Sequence, residues 1–376
     1  MISVLTKRMM IMKKLIFTVF FACVYAGFQA QPTDSIKRVT LKAVELMEAE
    51  KFAESREILN ALEKEDPENK GLYIYEKAYS YVLEKDYDNA VKISKKLKRK
   101  KYRSARGFQL LGNCYSYNGE VKKAIKTYEK GMKHFPNSGR LQLERGNIEL
   151  HRENYGLAMK YYEKGIEVDP GFASNYYWAA KLYMSSDHVY WGLIYGELFL
   201  NLERSGKRHK DVSEVMYKIY EDNMDFAVND TPVVTFVSNE ISISIGSTDM
   251  DELHNKMKRA LNNYGRKHYQ PVMALSVAGE SQFELGALSR IRERFVDFYF
   301  HEERPDVVLF DFQKNLKEKG YLEAYNYWLF ADADEPSFVV WTSQNPDLYK
   351  EFVDWFEVNK MKLDAENKFI TSDYDF

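Results

Sequence analysis

The chain is poor in cysteine, proline and glycine, and each shortage excludes something. Two Cys in 376 residues leave no disulfide framework and no Cys pair to bind zinc. Cys23 lies in an apolar N-terminal run, so if that run is removed Cys114 becomes a lone thiol, expected as a small buried residue on a helix. Nine Pro and nineteen Gly are too few for a loop-rich β fold, whereas 28 Tyr and 23 Phe suit long helices packed through aromatic side chains. The seven His, at 134, 151, 188, 209, 254, 268 and 301, never take the spacing H-E-x-x-H of a metal-binding helix. No metal or other cofactor is expected.

Lys13 and Lys14 precede an apolar run from Leu15 to Gly27, and Phe28-Gln29-Ala30 closes it at a small residue before Gln31. This is the pattern of an export signal over residues 1–30, with Met12 as an alternative start. The run is shorter than the roughly 20 residues of a membrane span, and Cys23 lacks the preceding residues of a lipid-attachment site. The mature chain is therefore expected outside the cytoplasm, periplasmic or extracellular, rather than anchored. Its halves differ in charge: residues 31–206 carry a net +5 and residues 207–376 a net −11. The small excess on one half and the acidity of the other argue against a nucleic-acid binder.

The chain repeats every 34 residues. Gly112, Tyr115, Ala124, Tyr128, Gly131 and Pro136 recur in spacing as Gly146, Glu149, Ala158, Tyr162, Gly165 and Pro170. Small residues return where two helices must touch, and a larger side chain there would overpack the pair. Pro136 and Pro170 stop helices, and Asn118-Gly119 supplies the turn inside a hairpin. Further units start near Ser35 (Ala43, Leu46, Ser55, Leu59, Leu62, Pro67), Gly71 (Ala78, Tyr81, Ala90, Ser94, Leu97) and Ala173 (Ala180, Tyr183, Gly192, Gly196, Phe199). A unit this short cannot bury its own apolar face and must stack on its copies.

This pattern resembles the tetratricopeptide repeat, most fully at 105–138 and 139–172, with Glu149 and Gln142 departing from the usual large residues. The resemblance implies an all-α, right-handed solenoid of four to five helical hairpins over 31–206, with a concave groove that binds a protein or peptide. It implies that the first helices line that groove, through Tyr75 and Tyr79, Gln109 and Asn113, Leu143 and Asn147, Tyr177 and Lys181. An Asn amide both donates and accepts, so Asn113 and Asn147, one unit apart, are suited to a peptide backbone. Gln109 and Tyr177 stand where a carboxylate-binding array would use Lys.

After Gly206, Lys210–Glu221 reads as a capping helix within 207–222. The segment 223–376 reads as a mainly helical domain of no recognised family, with short strands at Val233–Val237 and Ile241–Ile245 and helices at Met250–Tyr264, Ser281–Glu303, Pro305–Lys319, Leu322–Phe330 and Pro346–Met361. Asn345 is placed to cap the last of these. Gly279-Glu280-Ser281-Gln282-Phe283 begins like a nucleophile elbow after Val272–Val277 but lacks the second Gly, so Ser281 is expected to cap a helix. Asp332, Asp334 and Glu335 read as a solvated acidic turn rather than a calcium loop. Lys95, Lys96, Lys98, Arg99, Lys100, Lys101, Arg103 and Arg106 form a basic run, either a solvated helix end or a dock for an anionic partner. The function expected is a non-catalytic exported scaffold for a protein or peptide. The alternatives are a hydrolase-like enzyme in the C-terminal half and a structural subunit associated with the cell envelope.

Overall fold

The computed structural model describes residues 33–226, 232–237 and 263–374. They form two compact bodies, the first ending at Ile148 and the second starting at Glu149. The expected signal, the Ile241–Ile245 strand and most of the Met250–Tyr264 helix lie outside the described residues.

Helices come in pairs, as the 34-residue period requires. The pairs are α1 (Asp34–Glu48) with α2 (Phe52–Glu65), α3 (Lys70–Leu83) with α4 (Tyr87–Ser94), and α5 (Ala105–Tyr117) with α6 (Val121–His134). Then come α7 (Gly139–His151), α8 (Tyr155–Val168), α9 (Ala173–Met184) and α10 (Val189–Leu202). Starts are capped where the sequence offers an oxygen: Thr33 accepts from the Ile36 amide, Asp86 from Asn89 and Ser104 from Gly107.

The small residues lie where helices cross. Ala43, Ala78, Ala90 and Ala124 are fully buried, and the Ser55 hydroxyl donates to the Ala43 carbonyl at 2.7 Å across the first hairpin. A Cβ on Gly112 would overlap the Tyr128 ring, and one on Gly131 would come within 2.9 Å of Leu141 and Phe108. Cys114 is buried in the same core, and burial pushes its thiol up to about 11, so the thiolate is scarce near neutral pH.

One turn recurs inside the hairpins. Gly119 has φ +76°, and Lys85 and Glu153, each 34 residues away, take φ 63° and 61°. In each case the next amide closes onto a carbonyl five residues back: Glu120 to Tyr115, Asp86 to Tyr81, Asn154 to Glu149. Glu50, between α1 and α2, does the same at φ 60° with the Lys51 amide closing onto Leu46, so this left-handed closure, which satisfies carbonyls left open at a helix end, is Gly in one of these four hairpins.

In the second body every residue from Tyr190 to Asn201 of α10 is buried. A helix apolar all round must be covered on all sides, so the repeats after residue 148 share one core with the C-terminal helices instead of ending at 206. The cover comes from α9, from α11 (Lys207–Asp222), from α14 (Val308–Glu318) and from the chain's end. A Cβ on Gly192 would stand 2.6 Å from the Met184 backbone nitrogen, so α9 and α10 touch through a glycine. Phe369 and Tyr374 pack on Trp191, while the Thr371 amide donates to Glu163 at 2.8 Å.

The strand expectation reduces to a two-residue pairing, β1 (Met224–Asp225) against β2 (Val233–Val234). The apolar Val272–Val277 lies mostly within a helix, α12 (Gln270–Ser276), following a π turn at Gly265–Tyr269. Next come α13 (Leu285–His301), α14, α15 (Leu322–Leu329), α16 (Glu335–Gln344) and α17 (Pro346–Val358). Helix α16 went unforeseen: Val339 and Val340 are exposed beside buried Phe338 and Trp341, so its apolar residues trace no one-sided stripe. Two capping expectations fail. Ser281 sits four residues before α13, and Asn345, although at the cap position of α17, donates its amide back to the Trp341 carbonyl. Among the described residues no helix is long and apolar enough to cross a membrane.

Candidate groove of the repeat array

The first helices of successive hairpins bring five of the expected residues into one strip on the first body. Tyr75 and Tyr79, one turn apart on α3, stack at 6.4 Å, and the Arg106 guanidinium lies 4.7 Å above the Tyr75 ring. On α5, Gln109 donates to Glu144 of α7 at 2.7 Å and accepts from Arg140 at 3.2 Å. Asn113 and Asn147 both donate to Glu144, at 3.3 and 3.4 Å. The carbonyl oxygen of Asn113 accepts the buried Tyr128 hydroxyl at 2.6 Å. The two asparagines are thus held by a carboxylate, and one acceptor expected to face a ligand is already used.

Glu144 and Arg140 organise the strip and were not singled out from the sequence. The available signal was positional: Glu144 occupies in its repeat the place that Glu76 occupies two repeats earlier, and Arg106 and Arg140 are 34 residues apart. Glu76 is 3% exposed and makes no hydrogen bond or ion pair among the described residues. Burial pushes its carboxyl up to about 7, against the opposing pull of Arg106. Beside it, Val44, Met47, Phe52, Tyr79 and Leu83 line an open cleft of about 340 Å³, rimmed by Glu48 and Glu50. The first body therefore offers an apolar cleft, lined in part by Tyr79 of α3, and on the first helices that follow a polar strip of amides and charges.

Tyr177 and Lys181 belong to the second body. Tyr177 is half-buried with its ring 5.2 Å from Phe199 and 5.1 Å from the Arg208 guanidinium, and Lys181 is exposed.

The other candidates are absorbed by packing. Asp334 caps α16 by accepting from the Ser337 amide, and Asp332 faces His209 at 3.4 Å. Glu197 of α10, the most enclosed carboxylate among the described residues of the second body, accepts from Arg292, Gln313 and Tyr325 at 2.7–2.9 Å. The cavity beside it measures about 20 Å³, room for one water and not for a substrate.

Residues 105–137 and 139–172 match the tetratricopeptide repeat family. Over 161 residues the chain is 26% identical to cellulose synthase operon protein C of Pseudomonas fluorescens, covering 40% of this chain and 13% of that one. It is 27% identical over 125 residues to the DnaJ homolog subfamily C member 7 homolog of Schizosaccharomyces pombe, covering 30% and 26%. The chain thus spans about an eighth and a quarter of these relatives. Among solved structures, the C-terminal part of a TPR repeat-containing protein from Cytophaga hutchinsonii aligns over 79% of this chain and 96% of its own, at 14% identity and a TM-score of 0.37. YrrB, described as a TPR protein with an unusual peptide-binding site, aligns over 44% and 86%, at 16% identity and a TM-score of 0.30. The fold is an array of tandem helical hairpins, tetratricopeptide-like at 105–172. In particular, the hairpins α5–α6 and α7–α8 carry the two tetratricopeptide repeat matches.

Proposed function

We propose that this protein is a non-catalytic, exported scaffold, periplasmic or extracellular, that holds an extended segment of a protein or peptide along the first helices of its repeats. One observation carries the reading: the first body holds an apolar cleft at Val44, Met47, Phe52, Tyr79 and Leu83, and the first helices that follow, α5 and α7, present a polar strip of Gln109, Asn113, Glu144 and Asn147. An apolar side chain of the ligand fills the cleft, and its backbone meets the amides and the carboxylate beyond. Tyr177 and Lys181 are proposed as groove residues of the second body. The three donors of the C-terminal helices that engage Oε1 of Glu197, and the one-water cavity beside it, support a non-catalytic C-terminal half. Export is supported by the Lys13–Ala30 pattern alone.

A photo-crosslinking residue placed at Tyr79 or Gln109, in the full chain expressed in its own host, tests this. Cross-links to polypeptide at both sites and none at exposed Glu129 are expected. Polypeptide captured equally at Glu129, or at none of the three, would overturn the groove. Export predicts a mature product starting at Gln31 by intact mass. A cytoplasmic product retaining residues 13–30 would overturn that part alone.

A further inference from the structure

The basic run does not stand alone. Lys95 and Lys123 both lie over the Tyr115 ring, at 6.0 and 5.7 Å, and Arg103 reaches His134 at 3.4 Å. The segment 95–103 therefore shares the Tyr115 ring of α5 with the first turn of α6 and reaches the last residue of α6 through Arg103. Residues 95–134 hold thirteen Lys and Arg against two Asp and Glu. Of these cations, Lys95, Arg99, Lys100, Lys101, Lys122, Lys123, Lys126, Lys130 and Lys133 are exposed. Lys123 pairs with Glu120, but among the described residues none of the other eight makes an ion pair.

A merely solvated helix face would not be built this way. Helices α1, α8 and α11 each place carboxylates three or four residues from their lysines and pair them. Helix α6 instead repeats Lys at 122, 126 and 130, an unfavourable like-charge spacing on a helix. The crowding is felt locally: His134 titrates below its ordinary value, through desolvation and the nearby Arg103 and Lys130.

We propose that the 95–103 segment and α6 form a peripheral docking face for an anionic lipid surface. Ten of its twelve cations are lysines, compact point charges that need no fixed partner geometry and suit mobile headgroups, whereas a folded acidic partner favours the fork of arginine. Of the rings beside it Tyr115 is 7% and Tyr128 1% exposed, and within the segment only the half-buried Tyr102 remains, short of the run of exposed aromatics on which successive nucleic-acid bases stack. The cleft and strip of the groove use other residues, so the two proposals stand independently.

The test is co-sedimentation of the mature full chain with vesicles of phosphatidylglycerol and phosphatidylcholine against phosphatidylcholine alone. Binding to the anionic vesicles, abolished by high salt, is expected. The variant K122E/K126E/K130E should bind more than tenfold more weakly with an unchanged melting temperature. If that variant unfolds, K100S/K101S replaces it, with a several-fold loss expected. Equal sedimentation with neutral vesicles, binding untouched by the folded variant, or capture of polyglutamate or duplex DNA without capture of anionic vesicles would each overturn the proposal.

Discussion

At the scale of single residues, the repeat register rests on positions that tolerate no added atom. Gly112 faces the Tyr128 ring, so Gly112→Ala forces the aromatic or the helix to move and should destabilise the chain by about 1–3 kcal/mol, read as a lowered denaturation midpoint. An unmoved midpoint would contradict the packing. Glu76 makes a different prediction. Its folded value of about 7 lies above the ordinary 4.5, so between those values the native chain keeps a proton that the unfolded chain releases. Stability contributed by the protonated form is lost as pH rises through that window, roughly 3 kcal/mol by pH 8. Glu76→Gln should remove that fall, and denaturant titrations of both proteins at pH 5 and pH 8 measure the difference.

At the scale of elements, the turn that closes each hairpin is specified by its hydrogen bonds more than by its residue. Glu153 takes the left-handed conformation that Gly119 takes freely, because the amide of Asn154 must reach the Glu149 carbonyl. Glu153→Gly relieves the Cβ penalty and should stabilise by about 0.5–1 kcal/mol after the added chain entropy is counted, measurable as a raised melting temperature. A lowered one would mean that Glu153's side chain contributes more than its backbone costs. The C-terminal elements were legible where one side faced water: α14, α15 and α17 fall within a few residues of their expected limits. Helix α16 lacks such a stripe, and Val272–Val277 is short and apolar enough to fit either strand or buried helix.

At the scale of the molecule, a buried polar knot ties the second body. Arg292 of α13 pairs with Glu197 of α10 at 2.7 Å and donates to Asn326 of α15 and Tyr220 of α11, while Gln313 of α14 completes the carboxylate. Removing one charge strands the other in a low-dielectric interior. Arg292→Ala should therefore cost about 3–5 kcal/mol, whereas replacing Arg292 and Glu197 together with apolar residues of similar volume should cost far less than the sum of the two single changes. Additive losses across that cycle, measured by urea denaturation, would show that the pair is not coupled.

The sequence by itself determined the hairpins, their period, their small-residue contacts and the tyrosine and amide positions along the first helices, because each is a local consequence of helical spacing and of what two close helices can hold. Only the tertiary structure decided that Glu144 would gather Gln109, Asn113 and Asn147, that Glu76 would lie buried with no hydrogen bond or ion pair among the described residues, and that α10 would join the repeats after residue 148 to the C-terminal helices in one core. Those outcomes depend on residues tens to more than a hundred positions apart meeting in space, and no spacing rule along a chain encodes which distant carboxylate a given amide will find.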